Sequence, residues 1–237
     1  MQTLQAAVTR IAPLTEFVFQ VELTPEQPVS FLAGQYLQVV LAEKDKRAFS
    51  IASKPSQTNL IELHIGAGAV DSYAMQALAF LKTAHEANQT VTIEVGLGNA
   101  HLRETPSMPT ILLAGGTGFS YVKSIADHLA EINYDQPVFF YWGVKVESAL
   151  YAKEEMEAWA KRRPNFQFIP VVETPEGEWQ GHTGYVHHAV MADIVSLEPY
   201  QVYMAGRFDM IGIVRDDFLT KGAIRENLFA DAFAFIK

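Results

Sequence analysis

The segment Ile111-Leu112-Leu113-Ala114 runs directly into Gly115-Gly116-Thr117-Gly118, and a helical pattern opens at Phe119-Ser120. A helix N-terminus offers unpaired N–H groups to an anion, and open α/β sheets take ligands at the carboxyl ends of their strands. Glycines there let the backbone approach a pyrophosphate without a Cβ in the way. A tight strand-to-helix turn also favours glycine, so the cluster alone leaves two readings. It is not the G-x-G-x-x-G fingerprint, because Tyr121 stands where the third glycine belongs, and this argues against an ordinary Rossmann dehydrogenase. Two further segments, Tyr141-Trp142-Gly143 and Ala205-Gly206-Arg207-Phe208-Asp209-Met210, put a small residue where a ligand could cross the sheet edge. Each also reads as a plain turn.

Other chemistry is thin. His182, His187 and His188 are metal-capable, but the adjacent pair is expected to face different sides of a helix with no carboxylate at ligand spacing. They read as solvated or capping residues, and no metal site is expected. Glu154, Glu155 and Glu157, followed by Lys161, Arg162 and Arg163, make a charged helix face oriented to suit the helix dipole. No nucleophile elbow or paired carboxylates point to a hydrolase. The chain has no cysteine, which excludes a disulfide framework, a thiolate zinc site or an iron–sulfur cluster ligated by this chain. A net charge of −9 argues against a nucleic-acid partner. No apolar run is long enough to cross a bilayer, residues 1–8 lack a signal pattern, and the cytoplasm is the expected location.

The elements that must position these residues fall into two patterns. At 237 residues the chain suits two domains of about 100 to 130 residues each. Residues 4–11, 17–23, 36–41, 49–52, 60–65 and 91–95 read as short strands separated by turn signals, with one helix over 70–81. Such spacing predicts a closed or nearly closed, Greek-key-like antiparallel β-barrel domain over 1–104. From residue 105 the pattern alternates. Strands are expected at 110–114, 138–143, 166–172 and 201–205, and helices at 119–131, 153–163, 185–193 and 210–221. Residues 228–236 read as a last strand. Alternation predicts an α/β domain over 105–237, a mainly parallel sheet covered by helices on both faces.

Along the chain lie Gly34-Gln35-Tyr36, Arg47-Ala48-Phe49-Ser50, His64-Ile65-Gly66-Ala67, the glycine loop with Phe119-Ser120, Tyr141-Trp142-Gly143, Ala205-Gly206-Arg207-Phe208 and Asp231-Ala232-Phe233-Ala234-Phe235. In this order and spacing they resemble the ferredoxin–NADP reductase superfamily, and most nearly the bacterial NAD(P)H–flavin reductases, which include the flavin suppliers of luminous bacteria. The resemblance implies a flavin (FMN, riboflavin or FAD) seated at Arg47, Ala48, Phe49 and Ser50, with NADH or NADPH held by the α/β domain. Ser50 would hydrogen-bond toward flavin N5, the hydride acceptor, and Arg47 would anchor polar atoms of the ring. A surface ion pair with Asp45 or Glu43 is the other reading of Arg47.

The backbone at His64, Ile65, Gly66 and Ala67 would line the flavin, the imidazole itself being simply packed. Thr117 would lie between the two ligands. Asp231 and Phe233 would belong to a C-terminal tail that closes over the flavin, with Asp231 assisting proton supply. Gly115, Gly116, Thr117, Gly118, Phe119, Trp142, Gly143, Gly206, Arg207, Phe208 and Met210 would bind the dinucleotide.

The chain departs from the group at Ala48, where proline is usual, and at Lys145, where arginine commonly follows the Trp-Gly turn; nearby Glu147 would oppose that lysine. With no long insertion to hold an adenine dinucleotide tail, the flavin is expected to be an exchangeable substrate. Reduced flavin would then serve an oxygenase, a luciferase or ferric iron, from a chain that is a monomer or weak dimer. The competing expectation is an electron-transfer reductase with tightly held flavin and a separate haem or iron–sulfur partner.

Overall fold

The computed structural model describes residues 1–66, 73–103 and 107–236. The chain divides into two compact units, Met1–His101 with Lys123–His128, and Leu102–Val122 with Leu129–Lys237. No helix among the described residues is long and apolar enough to cross a membrane.

The first unit is one antiparallel sheet of β1 (Gln2–Pro13), β2 (Val18–Pro25), β3 (Tyr36–Ala42), β4 (Asp45–Ser50), β5 (Ile61–Gly66) and β6 (Thr90–Leu97), in the order β4-β3-β6-β1-β2-β5. Period-two alternation buries one side of it: Val91, Ile93 and Val95 of β6 point into the core with Leu37 and Val39 of β3. The sheet is a half-barrel. Its end strands β4 and β5 share no ladder, and Ala52 N–H bonds to the Glu62 carbonyl at 2.8 Å just beyond β4. Helix α1 (Tyr73–Glu86) covers this core with Ala77, Leu78, Leu81 and Ala84, the three-to-four spacing of a helix with one apolar face. It runs five residues past the expected end, and residues 70–72 of the expected helix lie outside the described ones.

The fourth strand corrects the expectation of 49–52. It comprises Asp45–Ser50, because a tight β3–β4 hairpin pairs Ala42 with Asp45 and Tyr36 with Ser50. Its charged start reads as a turn by composition, yet Lys46 is held at 2.7 Å by Glu94. Cross-strand pairing outweighs poor strand propensity there.

On β5, Glu62 and His64 share a face, and His64 Nε2 lies 2.7 Å from Glu62 Oε1 with the imidazole buried. Burial pushes the Glu62 carboxyl up, but hydrogen bonds from His64 and Gln20 and the charges of Lys123 and His64 outweigh it. The group therefore titrates below its ordinary 4.5. A depressed carboxylate contributes stability that is present above its unfolded value and lost as pH falls through its folded one. Urea midpoints measured from roughly pH 6 down to pH 3 should show the Glu62→Gln variant losing less stability on acidification than the parent. Parallel curves would show that the pair carries no acid-sensitive stability.

The second unit is a parallel sheet of β7 (Thr110–Gly115), β8 (Val138–Val144), β9 (Phe166–Val172), β10 (His182–Thr183), β11 (Gln201–Ala205) and β12 (Leu228–Phe229), ordered β10-β9-β8-β7-β11-β12. Helices α2 (Phe119–Glu131), α3 (Lys153–Lys161), α4 (Val186–Asp193) and α5 (Phe208–Thr220) alternate with the strands. Both faces of the sheet are covered. Phe139 and Tyr141 pack with residues of α4 and α5, while Phe140 and Trp142 meet Phe119, Tyr151 and Phe168 on the other side.

The expected last strand over 228–236 is wrong beyond Phe229. Leu228 and Phe229 pair with Val202 and Tyr203, and a 3-10 turn then takes Asp231–Ala234. The partner strand β11 ends at Ala205, where Gly206 turns toward α5, so little edge remains to pair with a longer tail.

Candidate functional site

Parallel register sets the small residues side by side at the carboxyl ends of the second sheet: Gly115 stands opposite Gly143, and Ala114 opposite Ala205. Beyond β7 a 3-10 turn, Gly116–Gly118, leads into α2. The five glycine positions at these strand ends have different reasons. A Cβ on Gly118 would meet the Ala205 carbonyl oxygen at 2.4 Å, and one on Gly143 would meet Val186 Cβ at 2.6 Å. At Gly115 and Gly206 the obstacle is Met210 Sδ, at 2.7 and 2.9 Å. Protein packing thus demands glycine at Gly118, against backbone, and leaves little room at Gly143, whereas the flexible end of Met210 is the obstacle at Gly115 and Gly206. Gly116 is the exception, with φ +54° and nothing within 4 Å of an added Cβ.

Two residues expected to touch the dinucleotide lie underneath the loop. Phe119 and Trp142 are fully buried and stacked with centroids 4.1 Å apart, and Trp142 Nε1 donates to the Gly116 carbonyl at 2.9 Å. They hold the loop from below, and neither ring presents a face to solvent. Ser120 Oγ, buried in the first turn of α2, has no hydrogen-bond partner among the described residues. Thr117, within the 3-10 turn, is half-buried.

At the β11 end, exposed Arg207 bonds Asp209 through Nη2 at 2.6 Å and Nε at 3.2 Å, which holds the Asp209 carboxyl below the usual carboxylate range. Phe208 stacks on Phe235 at 5.3 Å, both exposed. Glu147 pairs with Lys153 at 2.8 Å, so its charge is matched locally and is not set against Lys145 alone. In the tail, the Arg225 guanidinium covers the Phe233 ring at 4.4 Å, and Asp231 opens the 3-10 turn. Burial, with the charge of Asp231 second, pushes the Tyr121 phenol well above its ordinary value.

In the first unit, Nε and Nη2 of the Arg47 fork are engaged. Nε and Nη2 bond Asp45 at 2.5 and 2.9 Å, Nη2 also bonds Gln76 at 2.8 Å, and the guanidinium lies 4.5 Å over the Tyr73 ring. The Tyr73 hydroxyl accepts from Ala48 N–H at 2.6 Å and donates to the Lys46 carbonyl at 3.2 Å. Tyr73 and Gln76 escaped sequence reading, although the expected helix over 70–81 sets them three apart on one face. Phe49 packs on the barrel core. Ser50 ends β4 half-buried, and its hydroxyl has no hydrogen-bond partner among the described residues. His64 is packed against Glu62, Ile65 is fully buried, Gly66 pairs with Val18, and Ala67 lies outside the described residues.

The histidines require a correction. His187 is buried, not solvated, and its ring centroid lies 4.2 Å from that of His188. A carboxylate absent from the local sequence, Asp217 of α5, reaches His187 Nε2 at 3.2 Å. His182 instead meets Asp193 at 3.1 Å.

A family model described as an oxidoreductase NAD-binding domain matches residues 112–216. The chain is 46% identical over 236 residues to an NAD(P)H-flavin reductase of Vibrio harveyi, spanning 99% of this chain and 100% of that one. It is 48% identical to an NAD(P)H-flavin reductase of Aliivibrio fischeri, over 97% and 98% of the two chains. Among solved structures, a ferredoxin reductase in carbazole 1,9a-dioxygenase matches with a TM-score of 0.82 at 23% identity, covering 98% of this chain and 69% of that chain. The chain belongs to the NAD(P)H–flavin reductase family, oxidoreductases on a ferredoxin reductase-like fold.

Proposed function

We propose that this protein oxidises NADH or NADPH and reduces flavin, and that the flavin is an exchangeable substrate. The observation that carries the reading is likeness over nearly the whole chain to relatives named for that activity. When bound, the flavin accepts a hydride at N5 from the nicotinamide; the protein contributes binding, orientation and a tuned polar environment. The residues present fit that task. Ser50 keeps a half-buried hydroxyl unclaimed by the described protein and donates toward N5. Arg47, pre-oriented by Asp45, Gln76 and Tyr73, donates one Nη1 hydrogen to the Tyr73 carbonyl at 3.3 Å and offers the other to polar atoms of the ring. The backbone at His64, Ile65 and Gly66 lines the flavin, and Asp231 supplies a proton.

On the nucleotide side, the open face of Gly116 and the first turn of α2 take the pyrophosphate, with Thr117 beside it. Reduced flavin then leaves for an oxygenase, a luciferase or ferric iron.

The test is NADH and NADPH oxidation by extensively dialysed protein, with and without added riboflavin, FMN or FAD. The expected result is a colourless protein whose turnover saturates with added flavin and is nearly absent without it. Turnover indifferent to added flavin would sink the exchangeable-substrate reading and favour a tightly held prosthetic group.

A further inference from the structure

We propose that His187, His188 and Asp217 form a binding site for one divalent transition-metal ion of the zinc class, tying α4 to α5. The two histidines stand in the first turn of α4, and Asp217 stands near the end of α5. One ligand-capable atom from each lies within 4.8 Å of the other two. His187 Nε2 is 3.2 Å from Asp217 Oδ2, and the imidazole centroids are 4.2 Å apart at 57°.

Burial fixes the position of the His187 ring. The His187 side chain is only 6% exposed, and its Nδ1 is buried with no hydrogen-bond partner among the described residues. Ligation through Nε2, the atom that faces Asp217, leaves the ring proton on Nδ1. The neutral ring is the form that ligates metal.

The donor set selects the class of ion. Two imidazoles and one carboxylate suit zinc, cobalt or nickel, whereas magnesium and calcium prefer all-oxygen sets. Bond lengths of about 2.1 Å in tetrahedral geometry place donors about 3.4 Å apart, so the cluster must tighten slightly. Exposed His188 can rotate to do so. Three protein ligands leave a fourth position for water. Val186, the first residue of α4, packs against Gly143 at the end of β8, so an ion here would also steady that part of the second sheet.

The experiment uses untagged protein, stripped with a chelator and titrated with Zn²⁺ against a chromophoric indicator, then with Co²⁺ followed by its visible absorption. Wild type should take up a single equivalent, with a cobalt spectrum of low coordination number, and should melt at higher temperature when loaded. His188→Ala and Asp217→Asn should each weaken uptake by at least about 10- to 100-fold. Both should leave metal-free flavin reduction and metal-free melting unchanged. His187→Ala is avoided because the ring is part of the core; exposed His188 carries the test. No stoichiometric uptake by wild type, or equal uptake by both variants, would overturn the proposal. Both readouts are independent of flavin turnover, so this result stands apart from the proposed activity.

Discussion

Replacing Ser50 with alanine is expected to lower kcat for flavin reduction by about 10²- to 10³-fold, with only a small change in KM for flavin. The magnitude follows from the role. A donor fixed where electron density arrives acts more strongly in the transition state than in the ground state, so its loss appears in kcat. Ser50 suits that role because it ends β4, locked by its pairing with Tyr36, while its hydroxyl is committed to nothing else among the described residues. A strand-end position is more rigid than a loop, and rigidity is what preorganised donors require.

The fold change is large, yet the substitution removes only one oxygen from a half-buried site, so the melting temperature should hardly move. Steady-state kinetics with NADPH and riboflavin, beside a thermal melt, separate these outcomes. Ser50→Thr keeps the hydroxyl and should recover part of the rate if the extra methyl is accommodated. If Ser50→Ala turns over normally with normal flavin binding, the hydroxyl is a bystander and the donor toward N5 must be sought elsewhere.

What could be read from residues alone varied for physical reasons. Strands β9 and β11 and helix α2 begin and end where the sequence places them. Buried parallel strands are nearly continuous apolar runs, and their helices carry clear three-to-four periodicity, so local pattern and tertiary environment agree. β4 was legible only in part, because Asp45, Lys46 and Arg47 are poor strand formers recruited by pairing with β3 and by Glu94. The tail misled in the opposite direction. Its alternating phenylalanines look like a strand, but only Leu228 and Phe229 find an edge to pair with.

The cluster around His187 could not have been read at all. Asp217 lies thirty positions away, and nothing in either segment encodes the approach of α5 to α4. The glycine loop was legible as a place, while the reason for each glycine was not. Sequence separates neither Gly116, which faces open space, nor Gly118, which faces backbone.

That distinction gives the second large expected effect. Gly118→Ala should destabilise the second unit by about 3 kcal/mol, the upper end of overpacking costs. An added Cβ would lie 2.4 Å from the Ala205 carbonyl oxygen, 2.6 Å from its carbon and 3.1 Å from Gly206 N. Carbon and carbonyl oxygen ordinarily approach no closer than about 3.3 Å. None of the obstacles is a side chain that can swing away. Ala205 is held by its ladder to Ala114, so relief requires moving a strand end or the start of α2.

At this chain length the cost corresponds to a fall in melting temperature of roughly 6 to 12 °C. Gly116→Ala is the matched control. Its positive φ imposes about 1 to 2 kcal/mol of backbone strain but no collision, so the fold should survive. If this face receives the pyrophosphate, that variant should chiefly raise KM for NAD(P)H. Circular-dichroism melts and NADPH saturation curves on both variants decide the matter. Equal melting temperatures for Gly118→Ala and wild type would mean that the loop does not press on β11. A raised KM confined to Gly118→Ala would move the ligand-facing role from Gly116 to Gly118.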